Sequence, residues 1–150
     1  MNKLISSITL LFLFVPTLQA ENADKLAAIK ETAFNYMDSW YQGDTKRMKM
    51  SLHKKLAKRS LRYLAGSKKD LRHTKRSEMV LYTGAGYGKE LWEENLSIEV
   101  IVLDFYKKIA SVKVITPDYY EYLRLAKMDD KDDKWVIINA IYERNSGQTH

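Results

Sequence analysis

The chain has 150 residues and no cysteine, which excludes disulfide bonds and attachment of a lipid through a lipobox cysteine. Its 25 basic and 19 acidic residues give a net charge of +6 at neutral pH, and 45% of the residues are hydrophobic. These values are typical of one globular domain with a single core and exclude a predominantly disordered chain.

The first 20 residues have the three parts of a signal peptide. Lys3 supplies a basic start, residues 4–15 are apolar, and residues 16–20 lead to the small residue Ala20. The apolar stretch is shorter than the roughly 20 residues that a membrane-spanning helix needs. The sequence therefore predicts cleavage after Ala20 and export of one domain, residues 21–150, to the periplasm or out of the cell. An uncleaved membrane anchor is the alternative.

The domain is predicted to begin with an amphipathic helix. Its apolar residues recur at spacings of three and four, at Leu26, Ile29, Ala33, Tyr36, Met37 and Trp40. Asn22 is predicted to cap the start of this helix, and Gly43 is predicted to end it. Asp44 follows directly, and we expect its carboxylate to cap a second helix from Thr45.

Residues 46–76 form a basic block with 13 Lys and Arg residues and one acidic residue, Asp70. Its apolar residues recur at every fourth position and then continue, at Met48, Leu52, Leu56, Leu61 and Leu64. This spacing predicts helical segments whose basic side chains lie in water. The alternative is that the block binds an anionic membrane surface. Nucleic acid is not predicted as a partner, because the protein is predicted to be exported and Tyr63 is the single aromatic residue in the block.

A third helix is predicted from Lys75 to Thr83, with Thr74 as its cap and Gly84 and Gly86 at its end. A strand in this segment is the alternative interpretation.

From Leu96 onward, apolar residues recur at every second position instead of at helical spacings. One face carries Ile98, Val100, Val102, Asp104 and Tyr106, and the other carries Ile101, Leu103 and Phe105. Because both faces are largely apolar, we expect helices to cover one and a second subunit to cover part of the other, which predicts a homodimer. Further strands follow at residues 109–116, 119–127 and 134–144, joined by short turns as in a meander.

Several segments in order carry a family resemblance: W-Y-x-G-D, S-L-H-K-K-L-A-K-R, I-V-L-D-F-Y-K-K-I-A-S-V-K-V, Y-x-x-Y-L-x-L and D-K-W-V-I-I-N-A-I-Y. Over residues 23–142 the chain resembles the putative lumazine-binding branch of the NTF2-like superfamily. The resemblance implies an α+β cone, with N-terminal helices packed on a strongly curved antiparallel sheet around an apolar pocket, commonly in dimers. The superfamily includes ketosteroid isomerase, dehydratases and polyketide cyclases beside domains with no chemistry, so the fold alone does not fix the function.

Two residues are candidates for acid or base catalysis. His53 lies in the family-like segment S-L-H-K-K-L, and an imidazole titrates near neutral pH. A histidine bonded to the backbone at a helix end is the alternative. Asp104 lies in a strand among apolar residues, where burial would raise the pKa of a carboxyl group. An exposed or turn-stabilising aspartate is the alternative there.

Other residues are candidates for ligand binding. Arg59 has the guanidinium that binds carboxylate or phosphate in bidentate fashion, although it is equally typical of a solvated cation. Asn139 is predicted to share a strand face with Trp135, Ile137 and Ile141, where its amide would orient a ligand; a core amide with its hydrogen bonds satisfied is the alternative. Aromatic residues with polar tips suit a flat ligand, although most aromatics at such spacings lie in the core: Tyr36, Trp40, Tyr41, Tyr120, Tyr122 and Trp135.

No metal site and no cofactor are predicted, because the three histidines lack the spacing of metal ligands and no phosphate loop is present. The leading hypothesis is an exported, non-catalytic dimer that binds a small apolar or aromatic ligand. The alternative is an isomerase or dehydratase that uses His53 or Asp104 as base. The third hypothesis is binding of an anionic surface through residues 46–76.

Overall fold

The structure is a computed structural model that describes residues 15–63, 69–129 and 134–145. Within these ranges the helices and strands are α1 Val15–Gln42, α2 Thr45–Ser51, β1 Leu52–Tyr63, β2 Lys69–Thr74, α3 Arg76–Gly84, β3 Glu99–Tyr106, β4 Ile109–Ile115, β5 Tyr119–Asp129 and β6 Lys134–Arg144. A short 3-10 helix, Lys89–Leu91, lies between α3 and β3. None of the helices in the described part of the chain has the length and apolar character required to span a membrane.

Helix α1 packs on the core through the predicted stripe, since Ile29, Ala33, Tyr36 and Met37 are all buried. It ends at the predicted position, because Gly43 adopts a φ of 68°, a left-handed conformation that glycine reaches without a Cβ clash. Its start differs from the prediction. The helix begins at Val15, so Asn22 lies in its interior and does not cap it. Residues 1–14 of the predicted signal peptide lie outside the described residues, and cleavage after Ala20 stays a prediction.

The second helix has the predicted cap: the Asp44 carboxylate accepts the backbone N–H of Arg47 at 3.0 Å. The third helix is also present, but its predicted cap is wrong. Thr74 is the buried last residue of β2, and α3 begins one residue later than expected, with Lys75 at the N-cap position. The Glu78 side chain accepts the Lys75 backbone N–H at 2.7 Å, which satisfies a donor that the first helical turn leaves free.

The six strands form one sheet in the order β2-β1-β6-β5-β4-β3. The meander from β3 to β6 is confirmed, with antiparallel pairing at each step. Strands β1 and β2 pair antiparallel as well, but β1 runs parallel to β6, so the sheet is mixed and not wholly antiparallel. The helices contact the inner face of this sheet. The α+β fold with helices on a curved sheet is therefore confirmed.

The helical interpretation of the basic block is wrong beyond Ser51. Residues 52–63 form β1, which pairs with both β2 and β6. Leu52 and Leu56 are buried as predicted, because a spacing of four is two strand periods as well as about one helical turn. The apolar spacing therefore could not distinguish a helix from a strand, and the pairing partners decided the outcome.

Two bulges change which side chains face the core. In β3, Val102 pairs with Val112 and Asp104 pairs with Ser111, so Leu103 is an extra residue. In β6, Ile137 pairs with Leu125 and Asn139 with Arg124, so Ile138 is an extra residue. The prediction that Asp104 shares a face with Val100 and Val102 is therefore wrong. Asn139 shares its face with Ile141 as predicted, but not with Trp135 and Ile137.

Strand β3 lies at the edge of the sheet, and no described residue of the same chain covers its outer face. Val100, Val102 and Phe105 pack against the core. Leu103 and Tyr106, in contrast, are exposed. Within the described part of one chain, only the inner face of this strand is covered, and not both faces as predicted. Coverage of the outer face by a second subunit stays a prediction.

Candidate functional site

A cavity of about 490 Å³ lies between the inner face of the sheet, the end of α1 and helix α3. This volume falls within the roughly 300–1,000 Å³ that is usual for small-molecule sites. The cavity is lined by Met37, Trp40, Lys58, Arg72, Thr74, Met79, Tyr82, Tyr87, Glu90, Leu91, Tyr119, Glu121, Tyr142 and Arg144. Its lining is therefore a mixture of aromatic and methionine side chains with a few charged groups.

A buried ion pair lies in the wall of this cavity. Lys58 Nζ donates to Glu121 Oε1 at 2.5 Å, and the two residues are 4% and 2% exposed. Lys58 Nζ also donates to the Tyr36 hydroxyl at 2.5 Å. That hydroxyl in turn donates to Glu121 Oε2 at 3.0 Å. The three side chains thus form a closed ring of hydrogen bonds that joins α1, β1 and β5.

Strand alternation places both charged residues on the inner face. In β5, Tyr119, Glu121 and Leu123 are buried and point to the core at every second position. In β1, Lys58 and Ser60 are buried in the same way. The pair therefore forms because β1 and β5, which flank β6 on opposite sides, each turn a charged residue inward.

The surroundings of the ion pair stabilise its charges. Burial, reinforced by the negative charge of Glu121, raises the pKa of Tyr36 well above its usual value, so the hydroxyl stays protonated and keeps donating to the carboxylate. Lys58 Nζ lies 4.1 Å from the centroid of the Tyr142 ring and 5.3 Å from that of Tyr36, within the range of cation–π attraction. An ammonium group out of water is thus balanced by one carboxylate and two aromatic faces.

Aromatic rings form much of the remaining wall. Tyr119 and Tyr142 pack edge to face with centroids 5.9 Å apart, and Tyr82 and Tyr87 do so at 5.6 Å. Burial raises the pKa of Tyr119 to about 12, so this hydroxyl is also neutral at ordinary pH. Trp40 adds the largest ring, and its buried indole N–H has no hydrogen-bond partner among the described residues.

The mouth of the cavity carries charges of both signs. Arg72, Glu90 and Arg144 are exposed lining residues. Arg72 donates to the Tyr82 hydroxyl at 3.3 Å, which directs its guanidinium along the rim. Neither arginine forms an ion pair with any residue that the structure describes. The mouth can therefore accept a polar or anionic substituent, while the charge within the cavity is already balanced.

The structure brings two of the predicted binding residues to this site. Trp40 lines the cavity. Tyr36 does not line it, but its hydroxyl binds both Lys58 and Glu121, so it positions the ion pair. The aromatic spacing of the first helix was thus a usable signal for both residues.

The two predicted acid or base residues lie away from the cavity and from each other. His53 lies in β1, where its Nδ1 accepts the Lys55 backbone N–H at 3.2 Å. This is a backbone-bonded histidine, although in a strand and not at the predicted helix end. Asp104 is exposed in β3, and three strands separate β3 from β1 in the sheet. The bulge at Leu103 is the reason that Asp104 faces outward.

The other predicted binding residues also lie outside the cavity lining. Arg59 and Tyr122 are exposed on the outer face of the sheet, and Trp135 is buried in the core. Asn139 donates from Nδ2 to the Ala57 carbonyl at 2.9 Å, so its amide joins the parallel strands β1 and β6. Strand alternation and the β6 bulge, which the sequence did not reveal, account for these placements.

Sequence reasoning missed Lys58, Glu121 and Tyr142. Glu121 had a usable signal, since it is a carboxylate between Tyr119 and Leu123 on the apolar face of a predicted strand. Lys58 was concealed by the basic block, because its neighbours in sequence are also basic. Only the strand assignment of residues 52–63 separates it from them.

The sequence matches the model of the family described as "Putative lumazine-binding" over residues 24–143. This match confirms the resemblance identified in the sequence segments. A search of curated proteins gave no match.

Solved structures share the fold at low sequence identity. An NTF-2-like protein of unknown function from Silicibacter pomeroyi DSS-3 has a TM-score of 0.62 and 12% identity, covering 83% of this chain and 98% of its own. An NTF2-like protein with a cystatin-like fold from Novosphingobium aromaticivorans gives 0.61 and 9%, covering 91% and 92%. A ketosteroid isomerase-like protein from Erwinia carotovora atroseptica SCRI1043 gives 0.56 and 14%, covering 81% and 97%. At these identities the likeness concerns the NTF2-like fold and not the chemistry.

Proposed function

The chain belongs to the family described as "Putative lumazine-binding", within the NTF2-like superfamily, and we propose that it binds a small planar molecule in its cavity without transforming it. The observation that carries this proposal is the cavity of about 490 Å³ with aromatic walls and a neutralised ion pair inside it. Tyrosine and tryptophan faces favour stacking with a flat apolar or aromatic ring.

The buried pair supplies the polar part of the recognition. Lys58 has three N–H donors and uses two of them, on Tyr36 and Glu121. The Glu121 carboxylate retains lone pairs beyond those that Lys58 and Tyr36 occupy. A ring with an acceptor beside a donor, as in a cyclic amide, would therefore match one donor and one acceptor at the cavity wall.

The charge arrangement favours binding over catalysis. Proton transfer needs a group that can change its protonation state near the operating pH. Lys58 and Glu121 are engaged with each other in a buried ion pair, and the two predicted acid or base residues, His53 and Asp104, do not line the cavity. An isomerase or dehydratase that used Lys58 or Glu121 as its acid or base would have to break this pair during each turnover, which makes that alternative the less favoured one.

Export and dimerisation are part of the same proposal. A leader in residues 1–20 would deliver the domain to the periplasm or the medium, where a binding protein meets its ligand. The outer face of the sheet exposes Tyr122, Ile141 and Leu103, and these apolar side chains support contact with a second copy. We expect a homodimer that covers the part of this face formed by β3 to β6 and leaves the β1–β2 hairpin uncovered.

Native mass spectrometry of the protein purified from its own host tests the proposal. We expect a dimer with a co-purifying molecule of defined mass. In the variant Met79→Trp, the larger side chain would fill part of the cavity, because Met79 is a buried lining residue. The adduct should then be lost, and the same variant should fail to bind the released molecule when it is added back.

The matched control is Met50→Trp, which makes the same substitution at an exposed methionine outside the cavity and should keep the adduct. Retention of the adduct by Met79→Trp would place the ligand elsewhere. If no adduct is present, binding to a panel of planar heterocycles and aromatic acids is measured by ligand-observed NMR. Failure of every compound at millimolar concentration would contradict a planar-ligand site. A time-dependent change in the mass of the bound molecule would favour the enzymatic alternative.

A further inference from the structure

A second concave surface lies away from the cavity, near the junction of α2, β1 and α3. This basic groove has a volume of about 630 Å³ and is lined by Lys49, Lys54, Lys55, Leu56, His73, Lys75, Arg76, Ser77 and Val80. Five of its nine lining residues are lysine or arginine, and none is acidic. The groove therefore concentrates positive charge in one place.

The nearby carboxylates are engaged by other groups. Asp38 and Asp44 pair with Arg47, and Asp70 lies 3.9 Å from Arg62. Glu78 binds the Lys75 backbone N–H with its side chain. Among the described residues, no ion pair involves any of the five cations of the groove. Their charge is thus available to an external anion.

Specific features of the fold hold these cations together. The register of β1 on β6 shifts between Leu52 and Ala57, and Lys54 and Lys55 project from this irregular stretch. Arg76 Nη2 donates to the Lys49 carbonyl at 2.5 Å, which links the start of α3 to the end of α2. The groove is therefore built from three elements fixed relative to one another.

An exposed leucine pair continues the groove along the outer face of the β1–β2 hairpin. Leu61 and Leu71 are direct cross-strand neighbours, 43% and 54% exposed. The adjacent outward pair is Arg59 and His73, and His73 also lines the groove. Basic and apolar side chains thus share one continuous outer surface.

We propose that the basic groove and the leucine pair together bind the surface of a membrane that contains anionic phospholipids. The cations contact lipid phosphates, and the two leucines enter the boundary between headgroups and acyl chains. This role is separate from ligand binding, because the groove and the cavity have no lining residue in common.

The leucine pair is the reason to choose a membrane over a soluble anion or a nucleic acid. Neither of those partners would offer an apolar layer to Leu61 and Leu71. Phe, Tyr and Trp are the usual stacking platforms for bases, and the groove has none of them among its described lining residues. The positive charge of the groove indicates an anionic partner, and the two exposed leucines indicate that this partner is a lipid surface.

Flotation of the full chain with vesicles tests this proposal. The vesicles contain either phosphatidylcholine alone or phosphatidylcholine with phosphatidylglycerol in a ratio of about 7 to 3. We expect tighter binding to the anionic vesicles and a steep fall of that binding with added salt. The triple variant K54Q/K55Q/K75Q should weaken binding by roughly 100-fold, at about fivefold for each cation near an anionic surface.

The matched control K30Q/K107Q/K134Q removes the same charge from exposed lysines elsewhere and should bind nearly as the wild type does. The variant L61S/L71S should weaken vesicle binding several-fold, while its binding of soluble tripolyphosphate stays unchanged. Equal affinity for neutral and anionic vesicles would overturn the proposal. Equal losses of affinity for anionic vesicles in the two triple lysine variants would overturn it as well. A third result would also contradict the proposal: tight binding of tripolyphosphate or duplex DNA, together with unchanged vesicle binding by L61S/L71S. The partner would then be a soluble polyanion and not a membrane.

Discussion

The two faces of β1 place the same kind of side chain in opposite environments. Lys58 on the inner face is buried, paired with Glu121 and covered by the Tyr142 ring. Arg59 on the outer face is exposed and has no ion pair among the described residues, and the same is true of Lys54 and Lys55 in the irregular first half of the strand. The inner cation is therefore tied to the integrity of the fold, and the outer cations are free to serve a partner.

The difference shows why charge in a sequence has no single structural meaning. An exposed cation remains hydrated, so replacing it changes the free energy of unfolding little. A buried cation has lost its water and depends on every partner that replaces it. Substitutions on the two faces should therefore separate clearly in stability measurements.

The largest effect is expected for Glu121→Gln, which leaves the Lys58 ammonium buried without its carboxylate. We expect a loss of about 3–5 kcal/mol in the free energy of unfolding, because an unpaired charge inside a protein is strongly destabilising. Urea unfolding followed by tryptophan fluorescence measures this loss.

The double variant K58M/E121L distinguishes the lost charge pairing from a loss of packing. It removes both charges, and with Tyr36→Phe added so that no buried hydroxyl loses its partners, it should fold with a stability within about 1–2 kcal/mol of the wild type, or higher. If this combined variant is as unstable as Glu121→Gln, then the fold requires the pair itself, and the stated cause of the single variant's effect is wrong.

The next effect concerns the wall beside Trp40. A Cβ at Gly88 would lie 2.2 Å from the Trp40 carbonyl oxygen, so the backbone must move to accept alanine. Gly88→Ala should lower the free energy of unfolding by about 1–3 kcal/mol, as overpacking usually does. Ala85→Ser, at an exposed position just after α3, should change it by less than about 0.5 kcal/mol. Similar losses in both variants would argue against the close contact as the cause.

The buried Tyr36 should make the free energy of unfolding depend on pH under alkaline conditions. In the unfolded chain Tyr36 loses its proton near pH 10, whereas burial and Glu121 keep the pKa of the folded residue well above that. Its contribution to stability is thus complete below pH 10 and falls as the pH rises further. The slope is about 1.4 kcal/mol for each pH unit. Tyr36→Phe should reduce the slope of the unfolding free energy between pH 10 and about 12 by this amount, and Tyr122→Phe should not.

The smallest effect is expected on the outer face. Arg59→Gln should change the free energy of unfolding by less than about 0.5 kcal/mol, since its side chain is exposed and has no ion pair among the described residues. Thermal and urea unfolding measure the effect. If Arg59→Gln lowered the free energy of unfolding nearly as much as Glu121→Gln does, the proposed difference in stability between the two faces of β1 would be wrong.

Local signals in the sequence predicted much of the fold. Gly43 and Asp44 marked the change from α1 to α2, because a left-handed glycine and a capping carboxylate act within one helical turn. The alternating segments from β3 to β6 and the short turns between them predicted the meander. The same helix pattern identified Trp40 and Tyr36, which are the two predicted binding residues at the site.

Other features depended on residues far apart in the chain. A spacing of four in β1 fitted a helix and a strand alike, and pairing with β2 and β6 selected the strand. The bulges at Leu103 and Ile138 moved Asp104 and Asn139 to the outer face, which no local pattern indicated. Candidate residues chosen by alternation were therefore misplaced wherever one extra residue shifted the register.

The sequence by itself determined the family, the order of most elements and the concentration of positive charge in residues 46–76, because these depend on neighbouring residues and composition. Only the tertiary structure decided which cation of that block is buried. Lys58 and Glu121 are 63 positions apart, and they meet because β1 and β5 both flank β6 with their inner faces turned to α1. The free energy of such a pair depends on burial and on partners that sequence neighbours do not supply.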